Sequence, residues 1–356
     1  MPATDIATAL QQQVQQAARD GLPLNLRGGG SKAFLGRNIS GTPLEVGGHR
    51  GILDYDPREL VITARAGTPL AEIEATLAES GQMLAFEPPH FGPQATLGGT
   101  LACGLSGPRR PYAGSARDFV LGCRMLNGRG EILRFGGQVM KNVAGYDLSR
   151  LMVGAYGTLG VLLDVSLKVL PRPAASITLA YECDAATAIR KMSGLLAQPY
   201  PVDAACFHGE LCHLRLSGSE QAVQHARAQL GGEEVPDGDV FWQMLNEQQL
   251  SLFTAAPTLY RIMVKPATPP LAIEGKWLLD WGGAQRWLAS HQPPEVIRAQ
   301  LAGTGGHATL FRGGGGDGNG AVFAPPHAAL LALQQRLKHS LDPHGIFNPG
   351  RVFAGI

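Results

Sequence analysis

Three separated glycine segments constrain this chain more than any other feature. The first, Arg27-Gly-Gly-Gly-Ser-Lys32, follows the alternating leucines Leu22, Leu24 and Leu26. The second is Thr96-Leu-Gly-Gly-Thr-Leu-Ala-Cys-Gly-Leu-Ser-Gly107, and the third, Gly154-Ala-Tyr-Gly-Thr-Leu-Gly160, leads into an apolar run from Val161. Glycine fills 47 of 356 positions, nearly twice the usual ~7%, and it is not periodic, which excludes collagen. Consecutive glycines after a strand turn several backbone N–H groups to one side with no Cβ in the way, a concavity that suits phosphate. Ser31 and Lys32 would strengthen it. One such loop is equally explained as a flexible turn. Three of them fit a long ligand touched along its length by main chain, a dinucleotide rather than a lone phosphate.

The remaining patterns predict an α+β fold. Asp5–Arg19 reads as a helix with Ile6, Leu10, Val14 and Ala17 on one face, and Leu22–Leu26 as a strand. Leu60–Ala66 reads as another strand, followed by a helix capped by Thr68 with Pro69 in its first turn and Gly81 at its end. From Leu97 to Leu170 the chain reads as glycine-punctuated strands, with Phe119–Met125, Glu131–Phe135 and Val161–Val169 the apolar candidates. Pro171-Arg172-Pro173 closes this half. The next region alternates strands and helices, including a hairpin at Gly209-Glu210, and reads as a self-contained cap. Gly313–Gly320 reads as a mobile loop, and Pro326–Leu341 as an amphipathic helix before ordered turns. The expected division is 1–173, 174–322 and 323–356.

Composition excludes several functions. The formal charge is +1, which gives no electrostatic case for nucleic acid. The N-terminus lacks a signal-peptide pattern, and no run approaches the ~18 apolar residues of a membrane span. A cytoplasmic protein is expected, with membrane contact only through partners. The five cysteines are scattered, with no disulfide framework and no iron–sulfur ligand pattern.

Arg27-Gly-Gly-Gly-Ser, Thr96–Gly107, Gly145-Tyr-Asp-Leu148, Gly157-Thr-Leu-Gly-Val161 and Phe347-Asn-Pro-Gly350 stand in an order and spacing that resembles the vanillyl-alcohol-oxidase family, with its PCMH-type FAD-binding domain of two subdomains. Gly104-Leu-Ser-Gly-Pro-Arg-Arg110 and Gly137–Leu148 look like the flavin-binding subunits of bacterial glycolate oxidases. The likeness is dense in the first half and the last thirty or so residues, and architectural between. It implies an FAD site in which Gly28, Gly29, Gly30, Ser31 and Lys32 hold the pyrophosphate. Gly98, Gly99, Cys103, Gly104, Ser106 and Gly107 would line the flavin and adjoining phosphates, with Ser115 and Asp118 nearby. Gly157, Gly160 and Val161 would lie along the adenosine, and Asn348 would return to the flavin from the C-terminal segment. Some relatives attach FAD through a histidine at the place of Ser31; serine there implies non-covalent FAD.

Other signals are thin. There is no G-x-G-x-x-G after the first strand and no P-loop, so NAD and ATP are unsupported. Cys206, His208 and Cys212 share strand parity as metal ligands would, but no fourth ligand follows, and no metal is expected. Arg109-Arg110 read as an acid-facing pair or a solvated turn, and Tyr146 as core. His90, His307, Arg312 and His344 are candidates to approach the flavin. The resemblance implies a glycolate-oxidising dehydrogenase in which a second flavin subunit and an iron–sulfur subunit are the partners. With no recognisable constellation for a hydroxy-acid carboxylate, the isolated chain is expected to oxidise glycolate poorly. Two other readings stay open: a non-catalytic flavin-bearing assembly subunit, and a stand-alone oxidoreductase of another small 2-hydroxy acid.

Overall fold

The computed structural model describes residues 4–137, 147–256, 258–313 and 322–356. Much of the Gly137–Leu148 motif, Tyr146 included, and most of the expected glycine loop lie outside the described residues.

The architecture is α+β, organised on two antiparallel sheets. The first has five strands in the order Ile52–Asp56, Val61–Arg65, Val161–Lys168, Val120–Leu126, Ile132–Gly136. Its central strand, Val161–Lys168, is buried at every position but the last. Burial at consecutive positions marks a strand covered on both faces, with its polar members paired: Ser166 to Thr63, and Asp164 to His49 and Arg124. The helix Ala7–Asp20 packs into the same core through Ala7, Leu10, Val14 and Ala17, and ends on Gly21 in the left-handed conformation. Helix Leu70–Glu79 buries Leu70, Ile73 and Leu77 there too. Beside this core, Leu24–Arg27 pairs in parallel with Thr42–Glu45.

The second sheet has eight strands in the order Glu233–Glu234, Ala175–Glu182, Leu211–Gly218, Val202–His208, Lys276–Asp280, Gln285–Ala289, Leu259–Met263, His307–Arg312. Helices Ala185–Leu195 and Glu220–Leu230 lie against it, their first turns capped by the side chains of Asp184 and Ser219.

The last helix, Ala328–Leu341, brings the chain back to the first core. Lys338 is buried there and its ammonium donates to Thr158 O, Phe347 O and Asp342 Oδ2, each at 2.7 Å. Asp342 in turn accepts from the N–H groups of Ile346 and Phe347. This fixes the turn that carries Asn348 beside Leu24, whose carbonyl accepts the Asn348 N–H at 3.0 Å.

Three sequence expectations are corrected. Leu97–Cys103 is a helix, not a strand, because Thr96 caps it by accepting from the Gly99 N–H. Thr68 caps nothing: its hydroxyl is bonded to Gly51, and Pro69 precedes the helix instead. Gln285–Ala289 is a strand that the sequence reading passed over, joined to Lys276–Asp280 through left-handed Trp281, Gly282 and Gly283. Cys206 and Cys212 point to opposite faces of the sheet, into different apolar clusters, so their strand parity was lost across the hairpin. Among the described residues no cluster of three metal-ligating side chains exists.

Candidate functional site

The three glycine segments converge. Gly28, Gly29, Gly30, Ser31, Lys32, Gly98, Gly99, Cys103, Gly157, Gly160, Val161 and Asn348 all line one cleft of about 550 Å3, within the roughly 300–1,000 Å3 of ligand pockets. The glycines are needed for more than an approaching ligand. A Cβ on Gly28 would lie 2.7 Å from Thr96 Oγ1, one on Gly98 would lie 2.7 Å from Ala66 Cβ, and one on Gly29 would collide with the Gln94 carbonyl. At these positions the loop lies flat on its neighbours, leaving bare main chain as the cleft wall. Gly30 differs: its φ is 75° and a Cβ there meets nothing within 4 Å. Such a cradle fits FAD, a dinucleotide with an anionic centre.

Charge follows the same wall. Lys32 is buried, donating to His90 O at 3.0 Å and reaching Ser31 Oγ at 3.4 Å. Burial pushes its ammonium below the usual lysine range, with Cys103 and Glu247 opposing. Burial also pushes the Cys103 thiol up to about 11, which keeps it protonated and not nucleophilic at neutral pH. Asn348 lines the cleft, yet its side chain is occupied: Oδ1 accepts from Leu26 N at 2.8 Å and Nδ2 donates to Tyr156 O at 2.7 Å. It therefore ties the first strand and the third glycine segment into one surface.

The other expected residues lie off the cleft wall. Gly104, at φ 64°, ends the helix Leu97–Cys103 against Gly154. Ser106 Oγ accepts from Ala116 N, and Ser115 and Asp118 form a capping box with each other. Gly107 faces the second sheet, its carbonyl accepting from Trp281 Nε1 at 2.9 Å. Of the basic candidates, His90 is paired with Glu74 at 3.0 Å, Arg312 donates to Gln248, and His307 and His344 are exposed. Among the cleft residues that sequence reasoning did not single out are Tyr156 and Arg351. Arg351 directly follows the Asn-Pro-Gly turn, a signal that was available; Tyr156 sits at φ 53° inside the third glycine segment.

Where the two sheets meet, charge is paired off in a ring. Glu87 accepts from Arg109 (3.2 Å) and Arg215 (2.7 Å), and Asp203 accepts from Arg215 and is ion-paired with Arg109 (both 2.7 Å). The loop that carries Glu87 is held again by Glu247, whose carboxylate accepts from the N–H groups of His90 (2.7 Å) and Phe91 (2.8 Å). Arg109 is thus structural.

A model of the FAD binding domain family matches residues 5–136. Glycolate oxidase subunit GlcE of Escherichia coli (strain K12) is 53% identical over 352 residues, covering 99% of both chains. Glycolate oxidase subunit GlcD of Bacillus subtilis (strain 168) and D-lactate dehydrogenase of Anaerostipes hadrus are each 35% identical, over 36% of this chain and only 27% and 26% of theirs. Among solved structures, alkyldihydroxyacetonephosphate synthase superposes with a TM-score of 0.67 over 98% of this chain and 76% of its own, at 15% identity, a likeness of fold alone. With FAD as its cofactor, the chain belongs to the family of glycolate oxidase subunit GlcE, among the FAD-linked oxidoreductases of the vanillyl-alcohol-oxidase type.

Proposed function

We propose that this chain is the FAD-carrying subunit of a multi-subunit enzyme that oxidises glycolate to glyoxylate and hands the electrons to an iron–sulfur partner. The observation that carries this reading is end-to-end identity of 53% with a glycolate oxidase subunit. The cleft supports it. Main-chain N–H groups of Gly28–Lys32, with Lys32 beside them, meet the negative pyrophosphate. Gly98, Gly99 and Cys103 border the flavin, Gly157, Gly160 and Val161 the adenosine, and Gly104, Ser106, Gly107, Ser115 and Asp118 keep those walls in place. Residues 1–173 with 323–356 form the cofactor half and 174–322 the cap. When bound, FAD supplies the acceptor for the hydride that leaves the carbinol carbon. The electrons need a partner for onward transfer, because the five cysteines follow no iron–sulfur ligand pattern. A second flavin subunit is the other partner in this reading. Residence in the cytoplasm, with membrane contact through partners, fits the lack of a membrane-crossing helix among the described residues.

The test is direct. The purified chain should be yellow, and denaturation followed by filtration should release its flavin intact, since Ser31 and a protonated Cys103 offer no covalent link. Flavin retained by the denatured polypeptide contradicts non-covalent binding. The assembled complex should reduce an artificial acceptor with glycolate, and a complex that binds FAD without doing so contradicts the activity.

A further inference from the structure

Arg261 stands on the strand Leu259–Met263, opposite Trp287 on one side and Thr309 on the other. Its Nε donates to Gln285 Oε1 at 2.6 Å, and Gln285 Nε2 donates to Asp280 Oδ2 at 3.0 Å. Asp280 Oδ1 accepts from the Trp281 N–H at 2.7 Å. The carboxyl therefore reaches the guanidinium only through a neutral amide. Neither Nη group of Arg261 has a hydrogen-bond partner among the described residues, and no carboxylate pairs with it. A second guanidinium, Arg110, shares the same Trp281 ring, at 4.3 Å against 5.0 Å for Arg261. Burial pushes Arg261 down to about 10 and Asp280 up to about 7. Two guanidiniums thus share this ring, and half-buried Arg261 keeps both Nη groups unpartnered among the described residues, free to meet an anion.

The place suits a ligand that meets the cofactor. Cys103 lines the cleft, while Ser106 and Gly107 of the same segment line a small cavity with Arg261, Asp280 and Gln285. Tyr156, on the cleft wall, lies within the field of both Arg261 and Arg351. The cavity is small, about 20 Å3, close to a single water-sized group, so only the carboxylate end of a ligand lying in the cleft would enter it. A guanidinium fork matches a carboxylate in two parallel hydrogen bonds.

We propose that Arg261, held by Gln285 and Asp280, is the anchor for the carboxylate of a small 2-hydroxy acid where the cleft meets the cap. The identity of the acid rests on the function proposed above; the anion site does not.

The test uses the full FAD-loaded chain, titrated with oxalate, a carboxylate that cannot be oxidised there, and with inorganic phosphate. Binding is read by tryptophan fluorescence and by the flavin spectrum. Oxalate should bind saturably and more tightly than phosphate. Arg261→Gln should weaken oxalate at least tenfold with FAD content unchanged. Gln285→Glu, which supplies an internal counter-ion, should do the same and remains informative if the arginine variant does not fold. Oxalate binding unaltered in both variants, or none in the wild type, overturns the proposal. Arg261-dependent oxalate binding with no glycolate oxidation by the assembled complex would uphold the site and reject the glycolate reading.

Discussion

The cleft and the sheet junction use side chains in opposite ways. The cleft wall is made by removing them: glycines at 28, 29 and 98 let one stretch of main chain lie against another. The junction is made by charge, with Glu87, Asp203, Arg109 and Arg215 closing a ring in which each carboxylate meets both arginines. A ring of that kind resists opening but spends its donors on itself. A bare backbone wall, and an arginine left out of the ring, keep theirs for something else.

The sharpest way to break this contrast is to open the ring. Asp203→Ala leaves Arg215, 7% exposed, and Arg109, 12% exposed, sharing one carboxylate; removing one partner of a buried pair costs about 3–5 kcal/mol. Urea unfolding should show that loss, and Asp203→Ala with Arg215→Ala should recover part of it, since fewer charges are orphaned. A single variant as stable as wild type would mean the ring holds nothing.

The next effect is pH-dependent and belongs to Asp280. Its carboxyl titrates near 7 in the folded chain, raised chiefly by burial from a starting value of 3.8. Below pH 4 folded and unfolded chains both hold the proton; between 4 and 7 only the folded chain does. Stability from this group therefore falls as pH rises through that window and is flat above it, by a total on the order of 4 kcal/mol at ~1.4 kcal/mol per pH unit. Asp280→Asn cannot titrate, so its stability relative to wild type should climb from pH 4 to 7. A constant difference across that range would refute the assignment.

The smallest effect concerns the cleft. Gly30→Asp adds a carboxylate to the wall where a Cβ meets no neighbour. Retention of FAD should drop at least tenfold, about 1.4 kcal/mol of binding, while the circular dichroism spectrum stays that of the folded chain. Gly30→Asn, similar in shape, neutral and tolerant of left-handed backbone, should retain more. Equal losses in both would show that backbone strain, not charge, matters there.

Much of the cleft was legible in the sequence because backbone demands leave letters behind. A left-handed turn favours glycine and a flat contact requires it, and Gly28–Gly30, Gly98 and Gly157 declared themselves. The strand Gln285–Ala289 also had a signal, the Gly282-Gly283 pair of a tight hairpin, but its Gln-Arg-Trp-Leu-Ala sequence does not alternate. Arg261 had none. An arginine on a strand acquires meaning only when sheet register sets it beside Gln285, with no ion pair to a carboxylate among the described residues. Arg109 looked the better candidate because it stands next to Arg110, and folding placed it between Glu87 and Asp203 instead.

The clasp made by Lys338 and Asn348 sets an order of events. Asn348 reaches back 322 positions to Leu26 and 192 to Tyr156, and contacts of such separation close late in folding. The turn after Ala328–Leu341 adds hydrogen bonds to the first strand and the third glycine segment, which meet directly where Leu26 packs on Gly157. Because Leu341, Ile346 and Phe347 are buried in the first core, release of the C-terminal segment would loosen that core and the cleft together.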